Sequence, residues 1–209
     1  MTFQKVVLTS VTNNLMNLIL GSASPRRLDL LAQIGVIADK VIHANIDESP
    51  RIGERPRPYA SRMAISKSKA IKSTQKDLVL TADTVVSAGI RILGKPESEA
   101  QAVEFLNLLS GRRHRVTTAV SLRIGDQIWS RNITTKVKMK NLSDIEISAY
   151  IRSQEWKGKA GGYAIQGIAS AFIPFISGSY SNVVGLPLTE TANLLIGAGY
   201  NISYESSAI

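Results

Sequence analysis

The sequence predicts an α/β chain of the α+β kind, built on a mixed sheet, and three observations carry that prediction. Residues 78–86 (Leu-Val-Leu-Thr-Ala-Asp-Thr-Val-Val) form a near-continuous, β-branched apolar run, the pattern of a strand buried on both faces. Residues 116–124 alternate cleanly, with Val116, Thr118, Val120, Leu122 and Ile124 on one face, and Gly125-Asp126 turns the chain into a partner strand over 127–135. One-sided apolar helical patterns lie among these strands, without the strict strand-helix alternation of a purely parallel fold.

Taken in order, residues 18–31 (Leu-Ile-Leu-Gly-Ser-Ala-Ser-Pro-Arg-Arg-Leu-Asp-Leu-Leu) read as a strand running into a helix. Leu18, Ile19 and Leu20 make the strand, Gly21 and Ser22 the turn, Ser24 the helix cap and Pro25 the first helical position. A structural capping box wants Glu or Gln three residues after the cap, and Arg27 stands there beside Arg26. Two cations at the positive end of a helix dipole oppose it, so an arriving anion is the expected compensation. The helix runs through Ile34 and stops at Gly35. Residues 36–46 are mostly apolar and end in Asp47-Glu48, a carboxylate pair expected at a strand end. A proline- and glycine-bearing loop over 49–58 leads to a helix over 59–74.

At about 100° per residue, Tyr59, Ala60, Met63, Lys67, Ala70 and Ile71 share one face of that helix. Lys67 within an apolar stripe either snorkels to the edge or reaches into a cleft. Asp83 interrupts the most apolar strand of the chain. A carboxylate there needs a basic partner, a metal or a reacting water, because desolvating it alone is costly. Gly94-Lys95-Pro96 closes a turn, Ser98 opens a helix that Gly111 stops, and residues 136–140 alternate lysine with apolar residues as an edge or half-exposed strand does. Ser143-Asp-Ile-Glu146 is a capping box for a helix over 144–153. The segment 155–167 joins Lys157 and Lys159 to Gly158, Gly161 and Gly162 before Gln166-Gly167. Residues 172–176 form an apolar strand in which Pro174 suggests an edge or a bulge, 178–182 a polar loop, Val183-Val184 a short strand, and Pro187 opens a last helix.

Composition narrows the function classes. The chain has 209 residues, 44% of them apolar and 20% charged, an ordinary globular balance, and its length suits one good core or two lobes sharing a sheet, in one or two domains. Twenty-five Lys and Arg against 16 acids give a net charge of +9, which favours anionic partners or is simply a basic surface. Without cysteine, disulfides and thiolate metal sites are excluded. With His43 and His114 alone, expected in loops or at the surface, a histidine-rich metal site is disfavoured. No apolar run reaches the roughly 18 residues of a membrane span, and Asn13, Asn14 and Asn17 interrupt any signal-like core, so a cytoplasmic protein is expected, with no membrane partner. Aromatic residues, at 6%, are too few for a single-strand stacking platform, so no nucleic-acid partner is expected. Residues 1–17 read as an N-terminal extension, and 18–209 as a single domain.

Several motifs fall in one order: Ser22-Ala23-Ser24-Pro25-Arg26-Arg27, Asp47-Glu48, Ala82-Asp83-Thr84-Val85-Val86, Gly94-Lys95-Pro96, Leu109-Ser110-Gly111, Gly158 through Gly167, and Gly178 through Leu188. Together they resemble the Maf family of nucleoside triphosphate pyrophosphatases over residues 18 to about 199. The resemblance implies two lobes around a central cleft, a fold like that of the inosine triphosphate pyrophosphatases, and frequent homodimers. It implies hydrolysis of a nucleoside triphosphate to monophosphate and pyrophosphate with a divalent cation. The aspartate matching Asp83 is the family's proposed general base, and residues matching Arg26, Thr84 and Gln166 are tied to base choice. Ile165-Gln166-Gly167 is similar to the branch acting on dTTP, UTP and modified pyrimidine nucleotides, although Gly162 and Ala164 replace the alanine and glycine more usual there.

The residue chemistry suits such a substrate. Ser22, Arg26, Arg27 and the helix N-terminus would hold phosphate oxygens, with Lys67 and Lys95 adding point charges near the leaving group. Glu48 and Asp83 are the candidate ligands for Mg²⁺ or Mn²⁺, which prefer oxygen, and Asp83 serves as base, ligand or both. The Gln166 amide offers donor and acceptor together, which matches the O4 and N3–H edge of uracil or thymine. The same residues leave open a non-catalytic, nucleotide-binding regulator of septum formation and a pyrophosphatase for a methylated guanine nucleotide.

Overall fold

The computed structural model describes residues 16–204. Its centre is a seven-stranded mixed sheet in the order β2-β1-β3-β5-β6-β7, with β4 paired to β3 off this path. The elements are β1 (Asn17–Gly21), α1 (Pro25–Gln33), β2 (Lys40–Val41), α2 (Pro56–Ala70), β3 (Asp77–Ala88), β4 (Arg91–Leu93) and α3 (Glu99–Leu109), followed by β5 (Arg113–Ile124), β6 (Gln127–Lys138), α4 (Asp144–Arg152), β7 (Phe175–Ser177), α5 (Tyr180–Val184) and α6 (Leu188–Gly197). Short 3₁₀ turns span Ala160–Gly162 and Ile168–Phe172. β1 pairs in parallel with β2 and β3, and every other pairing is antiparallel, which is the expected mixed sheet.

The three twelve-residue strands β3, β5 and β6 carry both halves of the molecule. On one face, Leu78, Leu80 and Ala82 pack with Leu18, Leu20, Leu30, Leu31 and Leu195 beneath α1 and α6. Farther along the same face, Val86, Val116 and Val137 pack with Leu106, Tyr150 and Trp156 beneath α3 and α4. The opposite face is covered by α2, where Ala60 and Ala64 meet Val85 and Ala119. Two apolar clusters on one face, set apart along shared strands, give the two lobes.

Register explains why a cleft opens between them. β1 follows β3 only as far as Gly21 opposite Thr81, and β4 joins β3 only from Leu93 opposite Val86. Residues 82–85 therefore have no strand on that edge, just beyond the carboxyl end of β1, where open sheets of this kind leave a crevice for ligands. Side chains alternate across a strand, so Asp83 and Thr84 point to opposite faces of the sheet at this opening.

Several expectations need correction. Asn17, placed with the N-terminal extension, already belongs to β1 and its Nδ2 donates to Asp77 Oδ1 at 3.2 Å; residues 1–15 lie outside the described residues. Ser24 occupies the N-cap but makes no side-chain cap bond; its N–H instead donates to Ser22 Oγ at 3.1 Å. Within 36–46 only Lys40–Val41 is strand, so Asp47 and Glu48 sit in a loop rather than at a strand end. The helix expected from 59 begins at Pro56 and ends at Ala70, because prolines suit a first helical turn as well as a loop. Residues 136–138 continue β6 between β5 and β7, so this lysine-alternating stretch is half-exposed but not an edge. Residues 180–184 form the short helix α5, capped by Ser179 Oγ accepting from Asn182 N, where a loop and strand were expected. His114 is buried, because the sheet face it lies on is covered by the α3–α4 lobe. The capping box at Ser143 and the cap at Ser98 form as expected.

Candidate active site

A cleft of about 740 Å³ opens at the β1–β3–β4 gap, and all nine residues singled out from the sequence line it: Ser22, Arg26, Arg27, Glu48, Lys67, Asp83, Thr84, Lys95 and Gln166. They come from the β1–α1 turn, the first turn of α1, the loop before α2, α2, β3, the turn after β4 and the loop after α4.

The α1 end is held rigidly by Arg27. Its Nε donates to Gly185 O at 2.8 Å, Nη1 to Ser22 Oγ at 2.9 Å and Nη2 to Thr84 Oγ1 at 3.2 Å. Gly185 adopts φ +133°, in the region that favours glycine, and this aims its carbonyl at the guanidinium. Thr84 Oγ1 is also 2.9 Å from Thr118 Oγ1, which donates to Asn182 O, and Asn182 Nδ2 donates in turn to Val116 O and Thr135 Oγ1. The chain of bonds ties α1 through β3 and β5 to α5. Burial, then neighbouring Arg26, lowers the Arg27 pKa, partly offset by Asp83 and Glu48. An anion in the cleft would relieve that condition. Arg26, half-buried, has no hydrogen-bond or ion-pair partner among the described residues, and desolvation lowers its pKa.

The α2 side holds the carboxylates. Lys67 Nζ lies 2.6 Å from Asp83 Oδ1 and 2.9 Å from Glu48 Oε1, so the lysine reaches into the cleft instead of snorkelling outward. Burial pushes the Asp83 carboxyl above its ordinary value, despite the opposing charges of Lys67 and Arg27. Burial acts in the same direction on Glu48 but is outweighed by the bond and charge of Lys67, with Lys95 and Arg27, leaving its pKa lowered. The two acids are thus driven apart, one inclined to take a proton and one to stay ionised. Tyr59 OH donates to Glu48 O at 2.7 Å, and Arg62 grips the preceding loop through Ser49 O and Glu54, which holds Glu48 in place. The Tyr59 hydroxyl is pushed up to about 12 by burial and by Asp83 and Glu48.

Two carboxylates converging on one cation are a donor set of the hard-oxygen kind that Mg²⁺ and Mn²⁺ accept. No group of three or more His, Asp or Glu side chains converges in this way among the described residues, so a divalent ion here would need further oxygens from the ligand it accompanies.

Opposite the α2 side, a recess of about 290 Å³ opens from the cleft between Arg26, Glu155, Lys159, Ala164, Gln166 and Gly167. Arg26 and Gln166 meet there; Thr84 lies outside it, engaged with Arg27. The exposed Gln166 amide has no hydrogen-bond partner among the described residues. Lys159, Tyr59 and Glu155 carry no assignment from the sequence. Lys159 was visible as part of the glycine-lysine run, and Tyr59 as a neighbour of Lys67 on the helical stripe. The Lys159 pKa is lowered by burial and then by Arg26, with Glu155 opposing. Behind the cleft, Tyr163 OH and His114 Nε2 are 2.7 Å apart, and desolvation lowers the His114 pKa to about 4.

With this geometry in view, comparison with known proteins decides the family. Residues 17–198 match the Maf-like protein family. The chain belongs to it. A dTTP/UTP pyrophosphatase from Cereibacter sphaeroides is 59% identical over 88% of this Maf-like chain and 96% of its own length. A protein of the same description from Roseobacter denitrificans is 57% identical over 87% and 97%, and one from Caulobacter vibrioides is 53% identical over 88% and 96%. Among solved structures, a HAM1 protein from Coxiella burnetii overlaps 87% of this chain and 99% of its own, with a TM-score of 0.48 and 13% identity. That overlap is too loose to bear on substrate or mechanism. No helix among the described residues is long and apolar enough to cross a membrane.

Proposed function

We propose that this Maf-like protein is a nucleoside triphosphate pyrophosphatase that hydrolyses dTTP and UTP, releasing the monophosphate and pyrophosphate. The observation that carries the reading is the raised, buried Asp83 carboxyl facing a cleft rich in cations, with Arg26, Arg27, Lys67 and Lys95 around it. A triphosphate needs that excess of positive charge, and its hydrolysis needs one group able to accept a proton from water. The pyrimidine specificity rests on the relatives' descriptions, which are the same for all three relatives described above.

In this mechanism Arg27, held by three bonds, presents its remaining N–H donors to phosphate oxygens, and Arg26 and Ser22 complete the grip at the N-terminus of α1. Lys67 and Lys95 stabilise the charge that develops on the departing pyrophosphate. Water attacks the α-phosphorus, the α-phosphorus–bridging oxygen bond breaks, and the water proton passes to Asp83. Glu48 and Asp83 would hold a divalent Mg²⁺ or Mn²⁺, which supplies neutralisation of phosphate charge when bound. Arg26 and Gln166 would meet the base end of the nucleotide in the recess they share, while Thr84, outside the recess, fixes Arg27 at the phosphate end. A homodimer and a cytoplasmic setting complete the proposal, on the resemblance and the composition respectively.

The test is direct. Purified protein with Mg²⁺ or Mn²⁺ releases pyrophosphate from dTTP and UTP in preference to other nucleoside triphosphates, measured side by side with methylated guanine nucleotides included. Tight nucleotide binding with no pyrophosphate released would make it a binding regulator instead.

A further inference from the structure

Glu155 lies between α4 and the glycine-lysine loop, in a turn that begins at Ser153, the C-cap of α4. Its side chain reaches across to the turn that carries Gln166. Glu155 Oε2 accepts from Ile168 N at 2.9 Å, while the turn closes on itself through Gly167 N donating to Ala164 O at 3.1 Å. The carboxylate lies against Gly167 so closely that a Cβ at that position would overlap both of its oxygens. Gly167 has φ −111°, so backbone freedom does not explain the glycine; room for Glu155 does. The same carboxylate lines the recess with Arg26, Lys159 and Gln166, and its charge acts on Lys159. The start of the turn is held separately, where Ala164 N donates to Tyr150 Oη of α4 at 3.0 Å, so Glu155 fixes its far end, beyond Gln166, and the Gln166 amide itself has no bond to hold it.

We infer that Glu155 is a positioning residue for substrate choice: its carboxylate, fitted against Gly167 and bonded to Ile168 N, sets the turn from which Gln166 reads the base. The inference rests on the pyrophosphatase reading, with Gln166 at the base end. Because Glu155 makes no contact with the cations around Asp83, its loss acts on recognition more than on the chemical step.

Three variants test this: Glu155→Ala removes the bond, Glu155→Gln keeps an acceptor oxygen for Ile168 N, and Gly167→Ala pushes the carboxylate out of place while leaving it charged. Steady-state kinetics with dTTP, UTP, CTP and GTP read the outcome, with thermal melting as the control for folding. Glu155→Ala and Gly167→Ala each raise KM for dTTP about tenfold, the effect of one lost charge-assisted hydrogen bond. Both change kcat far less, and both narrow the preference for dTTP over CTP. Glu155→Gln recovers most of the loss. The double variant Glu155→Ala/Gly167→Ala is no worse than either single one, since both break the same contact. The inference is overturned if Glu155→Ala lowers kcat equally on every nucleotide with the dTTP:CTP ratio intact, or if Gly167→Ala folds normally and behaves as the unaltered protein does. Should the unaltered protein hydrolyse none of the four nucleotides, the pyrophosphatase reading itself fails, an outcome distinct from either of these.

Discussion

At the α1 end of the cleft, Arg27 makes three hydrogen bonds to residues from three separate elements, and Lys67 bridges two carboxylates delivered by β3 and by the loop before α2. At the recess, Gln166 stands on a short turn, its amide free, and the turn is held by single bonds at its two ends, from Ala164 N to Tyr150 Oη and from Ile168 N to the Glu155 carboxylate. The first end is cross-linked through the sheet, so a change to one group leaves others holding the geometry. The second depends on one bond at each end of the turn and one missing side chain. A site that must grip any triphosphate gains from rigidity, since preorganised charge needs no rearrangement as the reaction proceeds. A site that distinguishes bases is set by small groups on loops, where specificity is readily altered without touching the core.

The largest expected effect falls at the rigid end. Asp83→Asn lowers kcat by about 10³-fold, the worth of a positioned general base, as measured by pyrophosphate release. The same change leaves the melting temperature at pH 7 equal to or above that of the unaltered protein. Burial raises the folded pKa of Asp83 above its unfolded value, so the folded state binds that proton more tightly. Its ionised form therefore disfavours folding once pH rises through the folded pKa, and the neutral amide escapes that. A fall in melting temperature at pH 7 would show that pairing with Lys67 outweighs desolvation. By the same shift, activity declines on the acid side at a pH above the ordinary carboxylate range, and the pH profile of kcat locates it.

Arg27→Lys comes next. The charge is kept but the fork to Ser22, Thr84 and Gly185 is lost, and kcat/KM falls on the order of 10–100-fold for every nucleotide alike. Equal loss across bases is what separates this end from the other. Gln166→Ala is smaller and selective, about tenfold in kcat/KM for dTTP, with discrimination against CTP reduced and the melting temperature unchanged, because the amide has no protein partner to lose. A general loss across all nucleotides would dissolve the contrast between the two ends. Thr84→Val is the smallest, raising KM by roughly threefold, because Arg27 keeps its bonds to Ser22 and Gly185. If Thr84→Val instead altered base preference as Gln166→Ala does, Thr84 would belong to the recess as well.

Much of the layout was legible in the chain. The run 78–86 with Asp83 set in it, the paired arginines after Pro25, and Lys67 on its apolar stripe are local patterns, and local patterns report on local structure. The elements misread were those with too little pattern. α5 is five residues long, too short for helical periodicity, and β2 is two residues within an apolar stretch that is otherwise irregular. His114 looked like a surface residue because its neighbours Arg113 and Arg115 are exposed, yet strand alternation turns it inward onto Tyr163. Glu155 gave no signal, since a lone glutamate before a tryptophan carries no motif.

The sequence by itself determined the mixed α/β class, the order of the main strands and helices, the family, and the set of nine residues around the cleft. The class and the order of elements follow from periodicity, capping and spacing, which act between residues near in the chain, while the family and the choice of Thr84 and Gln166 follow from the resemblance of the ordered motifs. The tertiary structure alone decided that Lys67 bridges Glu48 and Asp83, that Thr84 serves Arg27, and that Glu155 closes on Gly167. Each joins residues from separate elements, and the registers of β1 and β4 on β3 decide where the cleft that gathers them opens.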